Sequence, residues 1–283
     1  MAIYALSFGT YVLNAYLQIP GSRADVVVMD GPVPPQRWAL ENDPKWKSTV
    51  AQDVLRECVS LSPTCLAQLD IDAHAPGFLM DSVIDGSLPC LESLPWLTPY
   101  AAASYNIQML QGPQHVVLGP FWARVQRCSE SDIEQLNYYH SMQEASEPSG
   151  LEPPFYTYGI SVAIGSSEVY SFAEAPYMAA TYDEQSFASQ RTFATAGVEL
   201  LLSHARDVEG FPTYVPDPRT YRKFAQPTMP LQLLVGTLDP QTPYGLGPWF
   251  ADGLGDASSL VTVPYATHGT VIYEVLYYFG FFS

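Results

Sequence analysis

Basic residues are scarce in this sequence. Its 283 residues include 12 Lys and Arg against 29 Asp and Glu, a net charge of −17. A phosphate-binding surface needs clustered Lys and Arg, so nucleic acid is excluded as a partner, and the same shortage argues against anionic membrane surfaces. Charge of either sign is sparse, 14% of residues where about 25% is usual. No uninterrupted apolar run reaches the roughly 18 residues that a membrane-crossing helix needs. The apolar opening from Met1 to Ile19 lacks a basic leading region and is broken by Ser7, Gly9, Thr10, Asn14 and Gln18, so it does not read as a signal peptide. Metal-ligand clusters, a phosphate-cradling glycine loop and a dinucleotide fingerprint are all missing, and neither metal nor organic cofactor is expected.

Cysteine is also limited, to Cys58, Cys65, Cys90 and Cys128. Six residues between the first two is not a zinc-knuckle spacing, and no His stands at ligand spacing nearby. Two disulfides, 58–65 and 90–128, are the economical reading in an oxidising compartment, and four buried thiols are the reading in a reducing one. The acidic, lysine-poor composition favours disulfides and an extracellular setting. The sequence leaves the oligomeric state open.

What is present describes a globular chain: 47% hydrophobic and 13% aromatic residues suffice for a core, and 25 prolines fix many turns. Ile3–Leu6 reads as a strand ending at Ser7-Phe8-Gly9. Apolar residues at Tyr11, Val12, Ala15 and Tyr16 then fall at helical spacing until Pro20-Gly21. Val26–Asp30 is a near-continuous β-branched run closed by Gly31, the pattern of a parallel strand buried on both faces. Strand, helix and strand with short links make a βαβ unit. Helical patches at Ser48–Val59, Asp132–Ala145 and Ser186–His204 follow among proline-rich and aromatic segments. The α/β texture then resumes with a strand at Leu231–Gly236, a helix at Gly245–Leu254, a strand at Ser259–Val263 and a final helix at Thr270–Tyr278. The expected class is α/β, with a discontinuous core of residues 1–31 and 226–283 and a mainly helical cap of residues 32–225 inserted into it.

The chemistry-bearing residues stand where those strands end. Ala5-Leu6-Ser7-Phe8-Gly9 is a small-x-Ser-x-Gly turn between a strand and a helix, the setting of a nucleophile elbow. Ser7 alone reads equally well as a helix N-cap. Asp239 follows one buried strand and His268 the next, so the chain order is Ser, acid, His. Asp239 also suits a turn cap, and His268 a solvated loop histidine. Taken as a set, His268 would accept the Ser7 proton, Asp239 would orient the imidazole, and the Phe8 N–H would face the developing oxyanion. His74, His115, His140 and His204 fall in the insert and read as structural.

These segments resemble a known family. Ser7-Phe8-Gly9-Thr10-Tyr11, Tyr16-Leu17-Gln18 and Val27-Val28-Met29-Asp30-Gly31 look like the elbow region of the tripeptidyl and prolyl aminopeptidases, which are α/β-hydrolases. Leu238-Asp239-Pro240-Gln241-Thr242-Pro243 and Val263-Pro264-Tyr265-Ala266-Thr267-His268-Gly269-Thr270 look like that family's acid and histidine segments. The resemblance implies a secreted serine exopeptidase with Ser7, Asp239 and His268 as catalytic residues and a cap that admits short peptides bearing a free N-terminus. Ala163–Tyr170 resembles the part of the cap over the active site, which makes Glu168 the candidate contact for the substrate ammonium. A carboxyl ester hydrolase on the same triad, and a catalytically inactive binding paralogue, are the other readings.

The resemblance also implies several strands before the elbow and a second oxyanion donor from a loop among them, where this sequence supplies a single strand. The expectation is therefore an N-terminally truncated member with an incomplete sheet. Loss of one oxyanion donor costs about 3 kcal/mol of transition-state stabilisation.

Overall fold

The structure, a computed structural model, describes residues 1–35, 43–63, 65, 69, 77–110, 112–146 and 214–271. Four parallel strands form one sheet in the order of the chain: β1 (Ala2–Leu6), β2 (Val26–Asp30), β3 (Leu231–Gly236) and β4 (Ser258–Val263). The register pairs Tyr4 with Val28, Met29 with Leu233 and Leu233 with Leu260, so all four strands end at the same edge.

Helix α1 (Phe8–Tyr16) links β1 to β2, and α7 (Leu246–Leu254) links β3 to β4. Both crossovers advance in the same direction across the sheet, and right-handed connections then place both helices on the same face. Val27 and Met29 from β2, and Leu231 and Leu233 from β3, meet Leu13, Phe250 and Leu254 there in one apolar cluster. The opposite face is more open: Tyr4 and Val26 are 42% and 40% exposed. Along β2, Val27 and Met29 are buried beneath the crossover helices, whereas on the other face burial grows from exposed Val26 through part-buried Val28 to fully buried Asp30.

Asn14, one of two polar residues on α1's buried side with Thr10, is satisfied by the chain that leads into β3. Its Nδ2 donates to the Lys223 carbonyl at 2.8 Å, and its Oδ1 accepts from the Ala225 N–H at 2.9 Å. A side-chain amide here replaces the backbone pairing that an irregular segment lacks.

Between β2 and β3 the described residues 43–146 are mainly helical: α2 (Asp43–Leu61), α3 (Gly77–Ile84), α4 (Pro99–Met109), α5 (Leu118–Arg127) and α6 (Glu130–Ser146), with 3₁₀ turns at Pro89–Glu92 and Gly112–Val117. Helices α3, α4 and α5 lie outside the helical patches read from the sequence, among its proline-rich and aromatic segments. Pro99 occupies the first turn of α4, where the missing N–H costs nothing, and Thr98 caps it by accepting from the Ala101 N–H at 3.2 Å. These helices share a core that includes Leu55, Leu79, Met109, Trp122 and Leu136, and Leu238 from the loop after β3 joins it. Cys58 is bonded to Cys65 and Cys90 to Cys128, with Cα separations of 5.7 and 5.2 Å. Among the described residues, no helix is long and apolar enough to cross a membrane.

Candidate active site

Ser7 sits in the turn that joins β1 to α1 with φ 55° and ψ −131°. Positive φ is costly for a residue with a Cβ, on the order of 1–3 kcal/mol, and persists only where surrounding contacts fix it. Those contacts are present. The Ser7 N–H donates to the Asp30 carbonyl at 2.9 Å, and the Ser7 carbonyl accepts from the N–H and hydroxyl of Thr10 at 2.9 and 2.7 Å. The Ser7 side chain makes no capping hydrogen bond, although α1 begins at the very next residue. The cap role that the sequence also allowed is therefore not what its hydroxyl does.

Asp239 lies three residues past β3, with its side chain fully buried. One carboxylate oxygen accepts from the Gln241 and Thr242 N–H groups, both at 2.8 Å, and the other accepts from the Thr242 hydroxyl at 2.6 Å. The same carboxylate faces His268 Nδ1 at 3.0 and 3.1 Å. Asp239 is thus a turn residue and the partner of an imidazole at once. Thr242 is the side chain that makes the two roles compatible: its hydroxyl holds the carboxylate and lies 3.3 Å from His268 Nδ1. Thr242 was visible in the sequence only as part of the Leu238–Pro243 segment, without a role of its own.

His268 is 6% exposed, not a solvated loop residue. Its loop is stitched to the one carrying Asp239: the Leu238 N–H donates to the Ala266 carbonyl at 3.0 Å, and the Tyr265 N–H to Thr237 Oγ1 at 2.8 Å. Gly236 permits this approach, since a Cβ there would overlap the Ala266 carbonyl oxygen. Below the ring is Gly31, at φ +59°, where a Cβ would come within 2.9 Å of both His268 Cε1 and Thr242 Oγ1.

Ser7 follows β1, Gly31 follows β2, Asp239 follows β3 and His268 follows β4, so the set gathers at the carboxyl ends of four adjacent strands. That edge of an open α/β sheet is the usual place for a ligand crevice. Ser7 is bonded to the end of β2 and the imidazole lies against Gly31, at the end of the same strand. Among the described residues no hydrogen bond joins Ser7 Oγ to His268, a contact that commonly tightens only once substrate is bound. Phe8 opens α1, and its N–H is one of the first-turn donors that have no acceptor within the helix. Glu168 lies outside the described residues, as do the aromatic residues of its segment.

A cleft of about 300 Å³ separates α2 and α5 from the loops of Asp239 and His268, lined by Glu57, Cys58, His115, Leu238 and Tyr265 among others. The Glu57 carboxyl is held above its ordinary range by partial burial and then by the charge of Asp53, with His115 acting in the opposite sense.

Residues 205–275, which span β3, the Asp239 loop, α7, β4 and the His268 loop, match the family model described as TAP-like protein. No curated protein matches the chain. The parallel sheet and the match over its last two strands together make the fold α/β-hydrolase-like and this C-terminal segment similar to the TAP-like proteins.

Proposed function

We propose that this chain is a serine hydrolase that releases amino acids or short peptides from substrates with a free N-terminus, through an acyl-enzyme on Ser7. The observation that carries the reading is the buried Asp239–His268 pair, at 3.0 Å, on the same sheet edge as a serine in a positive-φ turn. With Nδ1–H directed to Asp239, Nε2 is the basic nitrogen of the imidazole. It takes the Ser7 proton as Oγ bonds to the scissile carbonyl carbon, and the C=O electron pair moves to oxygen, facing the Phe8 N–H. Collapse of the tetrahedral species breaks the C–N bond, and Nε2 returns the proton to the leaving amine. Water, deprotonated by the same nitrogen, then hydrolyses the ester and restores Ser7.

The exopeptidase preference draws on the TAP-like match and on the net charge of −17, which suits a cationic substrate terminus. In this proposal residues 32–225 form the cap, whose apolar core reaches the acid loop through Leu238. Two disulfides fit an extracellular enzyme.

The test is labelling with a fluorophosphonate probe, followed by substrate comparison. Wild type should label and Ser7→Ala should not. Aminoacyl- and tripeptidyl-anilides with free N-termini should be cleaved, and N-blocked versions should resist. Preferred turnover of p-nitrophenyl esters over every anilide would move the assignment to an esterase. A well-folded wild type that does not label would show a binding protein on a hydrolase scaffold.

A further inference from the structure

Asp30, at the last position of β2, is fully buried, yet its carboxylate has none of the roles above. Its carboxylate is occupied by four donors. Oδ1 accepts from the Thr270 N–H at 3.0 Å and the Thr270 hydroxyl at 2.8 Å; Oδ2 accepts from the Val271 N–H at 2.9 Å and the Tyr4 hydroxyl at 2.8 Å. Burying a carboxylate is expensive unless its lone pairs are met, and a residue needed only to fill space would be apolar. The network joins three parts of the site. Tyr4 stands on β1, three residues before Ser7; Asp30 ends β2, and its own carbonyl holds the Ser7 N–H; Thr270 and Val271 follow His268 directly after Gly269.

We infer that Asp30 is a positioning residue, which fixes the backbone after His268 against the strand pair that carries Ser7. This rests on the serine hydrolase reading above. His268 is then restrained at two points: Asp239 holds its ring, and Asp30 holds the chain two and three residues beyond it. Asp239 sets the orientation of the imidazole, and Asp30 sets where the imidazole stands relative to Ser7. Gly31, adjacent to Asp30 and in contact with the ring, makes the placement sterically exact on the near side.

The variant Asp30→Asn keeps the shape but replaces one acceptor oxygen with an NH₂ group that faces two donors. Two readouts separate positioning from general destabilisation. In the full chain, hydrogen exchange at the Thr270 and Val271 amides should accelerate by about 10-fold or more, with β3 and β4 unaffected. The fluorophosphonate labelling rate, per folded protein, should fall by about 10- to 100-fold. In a His268→Ala background, the slow residual labelling should change by less than about 2-fold when Asp30→Asn is added, because the imidazole it positions is gone. Equal losses in both backgrounds would overturn the inference, and so would unchanged amide exchange. If Asp30→Asn does not fold, Thr270→Val removes one donor and leaves the carboxylate. Labelling should then fall by about 2- to 5-fold with His268 present and stay constant without it, and any other pattern overturns the inference. A wild type that never labels would sink the Ser7 reading itself. The exchange measurement still decides then whether Asp30 anchors the loop, and unchanged protection overturns that as well.

Discussion

Gly9 and Gly31 look alike in the sequence, each a glycine next to a site residue, but their surroundings separate them. A Cβ on Gly9 would meet Ala5 Cβ at 3.8 Å, an ordinary contact, so the small-x-Ser-x-Gly pattern here is not enforced by crowding at its last position. A Cβ on Gly31 would press on the His268 ring and Thr242 while φ is +59°. Gly9→Ala should therefore be neutral, or stabilising by up to about 1 kcal/mol through helix propensity in α1. Gly31→Ala should cost more than about 1 kcal/mol in conformational strain alone and reduce fluorophosphonate labelling at least 10-fold. Thermal melts and labelling rates on the two variants check both parts.

What the sequence disclosed at this scale follows the distance between partners. Asp239 and Thr242 are three residues apart, and their shared motif was legible even though the threonine's role was not. Asp30 and Thr270 are 240 residues apart. Nothing in a single sequence connects the end of one strand to a loop so remote, so Asp30 read only as the close of a β-branched run.

Elements with a simple pattern were legible as such. The four strands and α7 fall within a residue or two of where apolar runs and turns put them, whereas α1 starts earlier, immediately after Ser7. The helices α3, α4 and α5 were hidden by Gly and Pro at their first turns, which are breakers inside a helix but tolerated at its start. At the beginning of α6, Asp132 carries the ordering that its composition does not advertise. It is 2% exposed, accepts from Arg127 Nε and Nη2 at 2.8 and 2.5 Å, and receives the Ser129 N–H and hydroxyl. The Arg127 hydrogen bonds, followed by those from Ser129, hold its carboxyl far below the ordinary carboxylate range. A group whose pKa is depressed on folding stabilises in full above its unfolded value of about 3.9, and loses that contribution as pH falls through the folded value. Asp132→Asn should thus be less stable than wild type at pH 7, and the gap in melting temperature should narrow below about pH 4. A gap constant down to pH 2 would contradict this assignment.

For the molecule as a whole, the two disulfides lie in the helical part and none is in the sheet among the described residues. By loop-closure entropy, Cys90–Cys128, with a separation of 38, should contribute about 4 kcal/mol. Cys58–Cys65, with a separation of 7, should contribute about 2.5 kcal/mol. Urea unfolding of the two double Cys→Ser variants should rank them in that order. The reverse ranking would mean that contacts around Cys58, which packs against Gly119, outweigh chain entropy.

The neighbouring strands β2 and β3 are separated along the chain by 200 residues. At a synthesis rate of 5–20 residues per second, β2 leaves the ribosome about 10–40 s before its partner exists. During that interval β1, α1 and β2 carry Ser7 and a bare apolar edge with no second neighbour, while the helices can close around their own core. Ser7 is made long before Asp239 and His268, so the crevice at the strand ends is complete only once β3 and β4 have joined the sheet.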